Sequence, residues 1–396
     1  MRRKVTVSAA LVLVLIGALV TFQITYSFVG DRYQAKLDEL MANQMAFEKL
    51  AAVDELVRNQ YVGAINEALL EENTLRGYMM GLGDKGCSYL TQAELSEYLL
   101  NESGQRWGVG VGATYHSQED SLYIYRVFQD SPAQKAGLLS GDRIVGVNGA
   151  SVRSLGFTAS HAKLYGTEGS SVELEVKRGE NLLQLTVPYA SIQVETVSFS
   201  MLPEQVGYVR IYSMNALTEG EFKNAVDSLV AQGARSLLFD LRSTVGGKHE
   251  VAVKMLDYLV SGCVLARTYT DSENISGIHA TNDHTVDLPF GVMVNTITAS
   301  SAELFASSLR DCTGALVVGE TTQGDAAVRT WVKLADLSGL VITTSYFAPP
   351  QSESFHNKGL VCDVVASLVP GQEQSPYVLQ VENDAQLQAA LTALAK

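Results

Sequence analysis

Cysteine is scarce and scattered. Cys87, Cys263, Cys312 and Cys362 are too few for a disulfide scaffold. None falls in a C-x-x-C pair, so no zinc or dithiol redox motif is present. The six histidines show no metal-ligand spacing either, and no metal is expected. Proline is rare beside glycine, 8 against 33, which points to tight backbone positions rather than Pro-rich linkers. Positive charge is in deficit: 29 Lys and Arg face 43 Asp and Glu, a formal balance of −14. Such a surface repels phosphate backbones, so nucleic acid is not expected as a partner. Charged residues make up only 18% of a chain that is 46% apolar, which excludes a largely disordered protein. Internal repeats and low-complexity tracts are absent. The 396 residues suggest two to three domains.

Charge is missing altogether from Val5 to Gly30. About 20 apolar residues suffice to cross a hydrocarbon core. Arg2, Arg3 and Lys4 precede the run, so the positive-inside rule leaves residues 1–4 in the cytoplasm. Residues 5–26 read as a transmembrane signal anchor in the plasma membrane, with the bulk of the chain extracytoplasmic. A cleaved signal peptide is the rival reading. It needs small residues at the cleavage site, whereas bulky Ile24, Tyr26 and Phe28 follow the run.

Residues 31–104 read as a helical segment. Leu37, Leu40, Met41, Phe47, Leu50, Val53 and Leu56 recur at roughly helical spacing. It suits packing or a homodimer and is given no chemistry. Residues 105–190 contain WGVGVGATY, then SPAQKAGLLSGDRIVGVNG, then a Val-Glu-Leu-Glu-Val hairpin pattern. This order resembles a PDZ domain. Successive glycines before a strand expose N–H groups that can hold a peptide carboxylate, while the peptide extends the sheet edge. Gly108, Val109, Gly110 and Val111 are placed there, with protein or peptide C-termini as partners.

Residues 191–370 alternate strands and helices, which implies an α/β layer around a mostly parallel sheet. SLLFDLR is a buried strand. Thr218 and Glu221 suggest a capping box opening a helix. RTWVKLA and LVITTSYF read as a hairpin. Residues 371–396 form a C-terminal helical tail, with Asn383 as its expected cap. Cys312 and Cys362, both near the ends of core elements, are expected to approach each other. Chemistry centres on VNTITASSAELFASSLRD. Ser300 stands at a helix N-terminus, where free N–H groups and the positive helix end gather. Gly246 and Gly247, after the buried strand, could face the same point and stabilise an oxyanion. The commonest roles for such residues are a helix cap and a tight turn.

The order of FDLRSTVGG, VNTITASSAE, VVGETTQG and NKGLVCDVV behind the PDZ motif resembles the carboxyl-terminal processing (tail-specific) serine peptidases. The resemblance runs from about Gly77 to Leu394. It implies a spiral α/β peptidase core, an inserted PDZ domain, a Ser–Lys dyad with a Gln orienting the lysine, and no cofactor. Glu303, three residues on, marks Ser300 as the nucleophile position. The lysine position holds Asp325 and the Gln position Arg329, while Thr244-Val245-Gly246-Gly247 replaces an N-P-G-G turn. A serine needs a base whose pKa sits near the working pH, which a desolvated lysine supplies and an aspartate does not. The expectation is therefore a pseudopeptidase scaffold in which Asp325 and Arg329 form an ion pair. The alternative is an active serine endopeptidase with a non-standard base. His249 is one candidate. Lys333 is another, on the strand face of Arg329 but about 13 Å further along. A purely structural role for the chain is the third reading.

Overall fold

The computed structural model describes Gln23 and residues 47–116, 119–270, 275–281, 284–368 and 381–395. The expected anchor, apart from Gln23, lies outside the described residues. Among the described residues no helix is long and apolar enough to cross a membrane. The chain divides into two compact units, residues 1–73 and 74–396. In the first, helix α1 spans 47–60. Its Arg58 bonds Asp54 one turn back at 2.7 Å and Glu67 at 2.6 Å. Phe47, Leu50, Val53, Leu56 and Val57 are exposed. Helix α2 covers Glu67–Met80.

The second unit begins within α2, at Thr74, and holds everything that follows. Strand β1 (Ser88–Leu90) and helix α3 (Gln92–Ser103) follow a glycine-rich turn. The segment expected to be helical therefore contains a strand. Alternation decides this: Tyr89 is buried between half-buried Ser88 and Leu90. Helix α3 opens on a capping box. Glu94 N–H donates to Thr91 Oγ1 (3.3 Å), and Thr91 N–H to the Glu94 carboxylate (2.8 Å).

Strand β2 (Gln105–Gly108) leads into the PDZ region. Its elements are β3 (Val111–His116), β4 (Ser121–Val127), α4 (Pro132–Lys135), β5 (Arg143–Val147), β6 (Ala150–Ser151), α5 (Val152–Ala162), β7 (Ser171–Arg178) and β8 (Asn181–Pro188). The antiparallel sheet runs β3-β4-β5-β7-β8, with β6 beside β5. Val172, Leu174 and Val176 of β7 alternate into the core while Glu173 faces out. Strand β9 (Ala190–Gln193) pairs with β2, so the chain enters and leaves this region side by side.

The remaining elements form the α/β core. They are β10 (Val197–Leu202), β11 (Val206–Ile211), α6 (Thr218–Ala231), β12 (Ser236–Asp240), α7 (His249–Leu259), β13 (Val264–Tyr269), β14 (Ile275–His279), β15 (Phe290–Val294), α8 (Ser301–Thr313), β16 (Leu316–Gly319), β17 (Ala327–Lys333), β18 (Gly339–Ala348), β19 (Val364–Val365) and α9 (Ala385–Leu394). The central sheet runs β10-β11-β12-β15-β16-β19. Its first pairing is antiparallel and the others parallel. A second sheet of β1, β18, β13, β14 and β17 is antiparallel throughout. With the PDZ sheet, antiparallel pairing predominates over the whole molecule. The expected mostly parallel sheet is confined to the central one, where helical crossovers bury strands such as β12 on both faces. Phe222 of α6, Phe239 of β12 and Phe305 of α8 pack ring against ring, with centroids 5.4–5.9 Å apart. This cluster seats α8, and with it Ser300.

Two expected caps are corrected. Thr218 lies inside α6, where its hydroxyl accepts from Asn215 N–H (2.9 Å). Glu221 turns away to accept from Thr196 and Val197 N–H (2.7 and 3.0 Å). Helix α9 is capped by Asp384 rather than Asn383, through Leu387 N–H (3.0 Å). Asp384 also receives the buried Arg242 guanidinium (2.7 Å), which reaches Asp240 on its other side at 2.7 Å. Arg210 approaches Asp240 at 2.6 Å. Burial opposes the Asp240 charge, yet Arg210 and Arg242 hold its carboxyl well below the usual range. A depressed carboxyl gives stability that is full above the unfolded value and lost as pH falls through the native one. Arg242→Leu leaves Asp240 and Asp384 facing each other without their shared cation. It should cost about 3–5 kcal/mol, read as a lower urea midpoint at neutral pH. An unchanged midpoint would show that the network does not hold α9.

Candidate functional site

Ser300 sits just before α8 with φ +56°, a conformation that non-glycine residues rarely adopt. Four contacts hold it there. Ala299 N–H donates to Thr244 O (3.0 Å), and Thr298 Oγ1–H to Leu241 O (2.9 Å). Ser301 Oγ–H donates to Gly247 O (2.8 Å) and Ser300 N–H to Glu303 Oε2 (2.8 Å). Thr244-Val245-Gly246-Gly247 packs directly against the serine. A Cβ on Gly246 would fall 2.7 Å from Ser300 Cβ, and one on Gly247 would fall 2.1 Å from Met214 O. Only glycine fits at either position. Among the described residues neither Gly246 N–H nor Gly247 N–H finds a hydrogen-bond acceptor. The structure thus brings Ser300, Gly246 and Gly247 together, as the sequence reading expected.

Glu303 is the junction of the site. Its buried carboxylate accepts from Ser300 N–H, Gly324 N–H (2.7 Å), Asp325 N–H (2.9 Å) and the Thr322 hydroxyl. Burial raises its pKa, and these four donors oppose the rise. The same carboxylate thereby fixes the serine and the loop that carries Asp325. In the sequence Glu303 serves only to set register. Its spacing three residues after Ser300 was the available signal, the pattern of a side chain reaching back to a helix start.

Asp325 and Arg329 form the expected ion pair, with Nη1 2.7 Å and Nη2 3.2 Å from the carboxylate oxygens. Arg329 is also 3.6 Å from Asp84 in the GLGDKGC turn. Burial works against its charge, but Asp325 and Asp84 raise its pKa. Arg329 lies over Gly86, where a Cβ would fall 1.8 Å from its Nε and displace the guanidinium. Nothing in the sequence marked Asp84, because the contact spans 245 positions of chain and has no local pattern.

Ser300, Gly247, Asp325 and Arg329 line a cleft of about 770 Å³, together with Tyr98, Glu102, Lys248, His249, Lys254 and Trp331. Its other cations are engaged: Lys248 with Glu102 (3.1 Å) and Lys254 with Glu219 (2.9 Å). His249 stacks on Phe347, and its Nε2 is 3.5 Å from Glu250. Among the described residues no lysine or histidine side chain hydrogen-bonds the Ser300 hydroxyl. Lys333 ends β17 opposite Gly339 and does not line the cleft. His284 bonds Tyr258 O, and His356 Nδ1 accepts from Ala326 N–H (3.2 Å), steadying the Asp325 loop from behind. No group of three metal-type side chains occurs among the described residues.

In the PDZ region β3 is the terminal strand of its sheet, and Phe157 of α5 packs over its Tyr115 (6.0 Å). Gly108 to Val111 are all buried. Val109 N–H donates to Leu164 O (3.0 Å), so this donor does not face a ligand and the expected set of four is corrected there. Gly110, at φ +87°, has Ser131 so close that a Cβ would meet it at 2.3 Å. Its N–H has no acceptor among the described residues.

The Glu303 junction yields a test. Glu303→Gln replaces an all-acceptor group with one that also donates, against four donors. The variant should lose about 1–3 kcal/mol, with faster amide exchange at residues 322–326. A raised native pKa makes the wild-type contribution fullest below the unfolded glutamate value and lost as pH rises through the native one. That slope should vanish in the variant. Unchanged exchange in the loop would show that the junction does not hold it.

Residues 205–366 match the model of peptidase family S41, and residues 109–188 match a PDZ domain. The carboxy-terminal processing protease CtpA of Bacillus subtilis is 28% identical over 368 residues, covering 92% of this chain and 78% of that protein. The carboxyl-terminal-processing protease of Picosynechococcus sp. is 28% identical over 383 residues, covering 90% and 89%. Among solved structures, the photosystem II D1 C-terminal processing protease aligns with a TM-score of 0.50 at 25% identity, covering 84% of this chain and 89% of its own. The serine at a helix entry and the glycine pair against it fall inside the segment that matches the peptidase family S41 model, and the antiparallel sheet ahead of them falls inside the PDZ match.

Proposed function

We propose that this protein is a membrane-anchored, peptide-binding member of peptidase family S41 in which Ser300 lacks the standard general base. The PDZ region takes protein C-termini, and the Ser300 cleft holds the delivered chain without rapid cleavage. The carrying observation is the Asp325–Arg329 pair at 2.7 Å, at the positions where the family resemblance calls for lysine and glutamine. A carboxylate already committed to a guanidinium does not draw a proton from a serine. The features that would bind a chain are still present. The glycine N–H groups, the apolar Trp331 and Phe347 in the cleft wall and the terminal strand β3 all remain.

One observation favours a second reading. His249 and Ser300 line the same cleft, and Ser–His pairing is a recognised chemistry. The purified chain incubated with an unfolded protein separates the two. On the primary reading wild type and Ser300→Ala degrade it equally slowly. Asp325→Lys combined with Arg329→Gln then gains at least about 100-fold. Cleavage by wild type that is lost in both Ser300→Ala and His249→Ala would replace the primary reading with the second.

PDZ binding is tested independently. Peptides with a free C-terminal carboxylate should bind at least about tenfold more tightly than their amidated forms, a difference near 1.4 kcal/mol. Equal affinities would remove carboxylate capture from the reading.

A further inference from the structure

The strongest unused feature lies at the far end of the helix that displays Ser300. Cys312 occupies the last turns of α8, and Cys263 immediately precedes β13. The Cys312 thiol donates at 3.4 Å to Val264 O, the carbonyl of the residue that follows Cys263, and burial and the nearby Cys263 thiol push its pKa up. Both side chains pack on the rim of the main core cluster and are partly accessible. The backbone around each is pinned. Ala280 N–H holds Cys263 O (3.0 Å). Asp311, next to Cys312, accepts from Gln351 and Ser352 N–H (2.8 and 2.7 Å). The other cysteines are committed elsewhere. Cys87 contacts Thr343, while Cys362 is buried beside Asp363. Among the described residues the Cys312 thiol finds its hydrogen-bond partner beside Cys263, at Val264 O, and makes no hydrogen bond to Cys362.

We propose that Cys263 and Cys312 are an oxidisable pair whose disulfide staples the C-terminal end of α8 to the start of β13. The step balances with a small-molecule disulfide as oxidant. One protein thiolate attacks RSSR, forming a mixed disulfide and releasing RSH. The second protein thiol then attacks that mixed disulfide, releasing a second RSH. The protein loses two protons and two electrons, and both reach the two RSH molecules. The bond closes the chain segment between residues 263 and 312, which contains β14, β15 and Ser300. Oxidation thus restrains the element that presents the serine, chiefly by narrowing the unfolded ensemble. The proposal does not depend on whether the cleft cleaves peptides.

Peptide mapping of the full chain without reduction tests it. The folded protein is equilibrated with oxidised glutathione, alkylated and digested. Two of the four thiols should resist alkylation, and one fragment should join Cys263 to Cys312. The thermal midpoint should rise by about 5 °C on oxidation, a rise absent in Cys312→Ala. Should that variant fail to fold, mapping of the wild-type chain decides alone. Four alkylatable thiols, a cross-link to Cys362, or glutathione adducts without an internal bond would each overturn the proposal.

Discussion

A single buried carboxylate organises the cleft. Glu303 gathers one donor from the serine turn and three from the Thr322–Asp325 loop, two segments some twenty residues apart in sequence. A buried carboxylate is tolerable only when its lone pairs are occupied, so each donor is as necessary to Glu303 as Glu303 is to the donors. The positive φ of Ser300 belongs to the same arrangement. Strain in a turn persists when surrounding contacts over-determine it. Here those contacts are the Glu303 bond on one side and Thr244 and Gly246 on the other. The serine is displayed because its backbone has no room to relax.

The scaffold behind this junction depends on two kinds of burial. The Phe222–Phe239–Phe305 cluster is generous and non-directional, and it fixes where α8 lies. The Asp240–Arg242–Asp384 network is directional and joins the end of β12 to the cap of α9. Buried ion pairs add little net stability over apolar packing, but they discriminate strongly against misplacement. That division suits the site. Apolar packing supplies the energy, while the polar network sets how the strand ends, and hence where the turn to Gly246 and Gly247 begins.

Legibility followed locality. SLLFDLR, the Val-Glu-Leu-Glu-Val hairpin and the turn before Ser300 were readable because their signals lie within a few residues. The approach of Gly246 to Ser300 was inferred from motif order and holds in the structure. Failures came where a side chain with two options chose a distant partner. Glu221 left the expected capping box for Thr196, and Asp384 displaced Asn383 because it also had Arg242 to bind. Strand β1 was hidden in a helical pattern because only three residues define it and its partner, β18, lies some 250 residues on. Asp84 and Cys263 were invisible for the same reason.

The Asp325–Arg329 pair gains meaning from Asp84. A lone aspartate in this half-buried loop would carry an uncompensated charge. A lone arginine would still find Asp84 nearby. Arg329 is therefore the better-anchored member, held between two carboxylates and seated over Gly86. Placing a lysine at 325 while leaving Arg329 in place would set two cations side by side over one acid. A lysine beside another cation and short of water loses its proton readily, but the repulsion would also push the loop off Glu303. Replacing Arg329 alone frees Asp325 into the cleft facing Ser300. The two positions are thus energetically one unit, and a lysine placed at 325 is compatible with this loop only if position 329 changes with it.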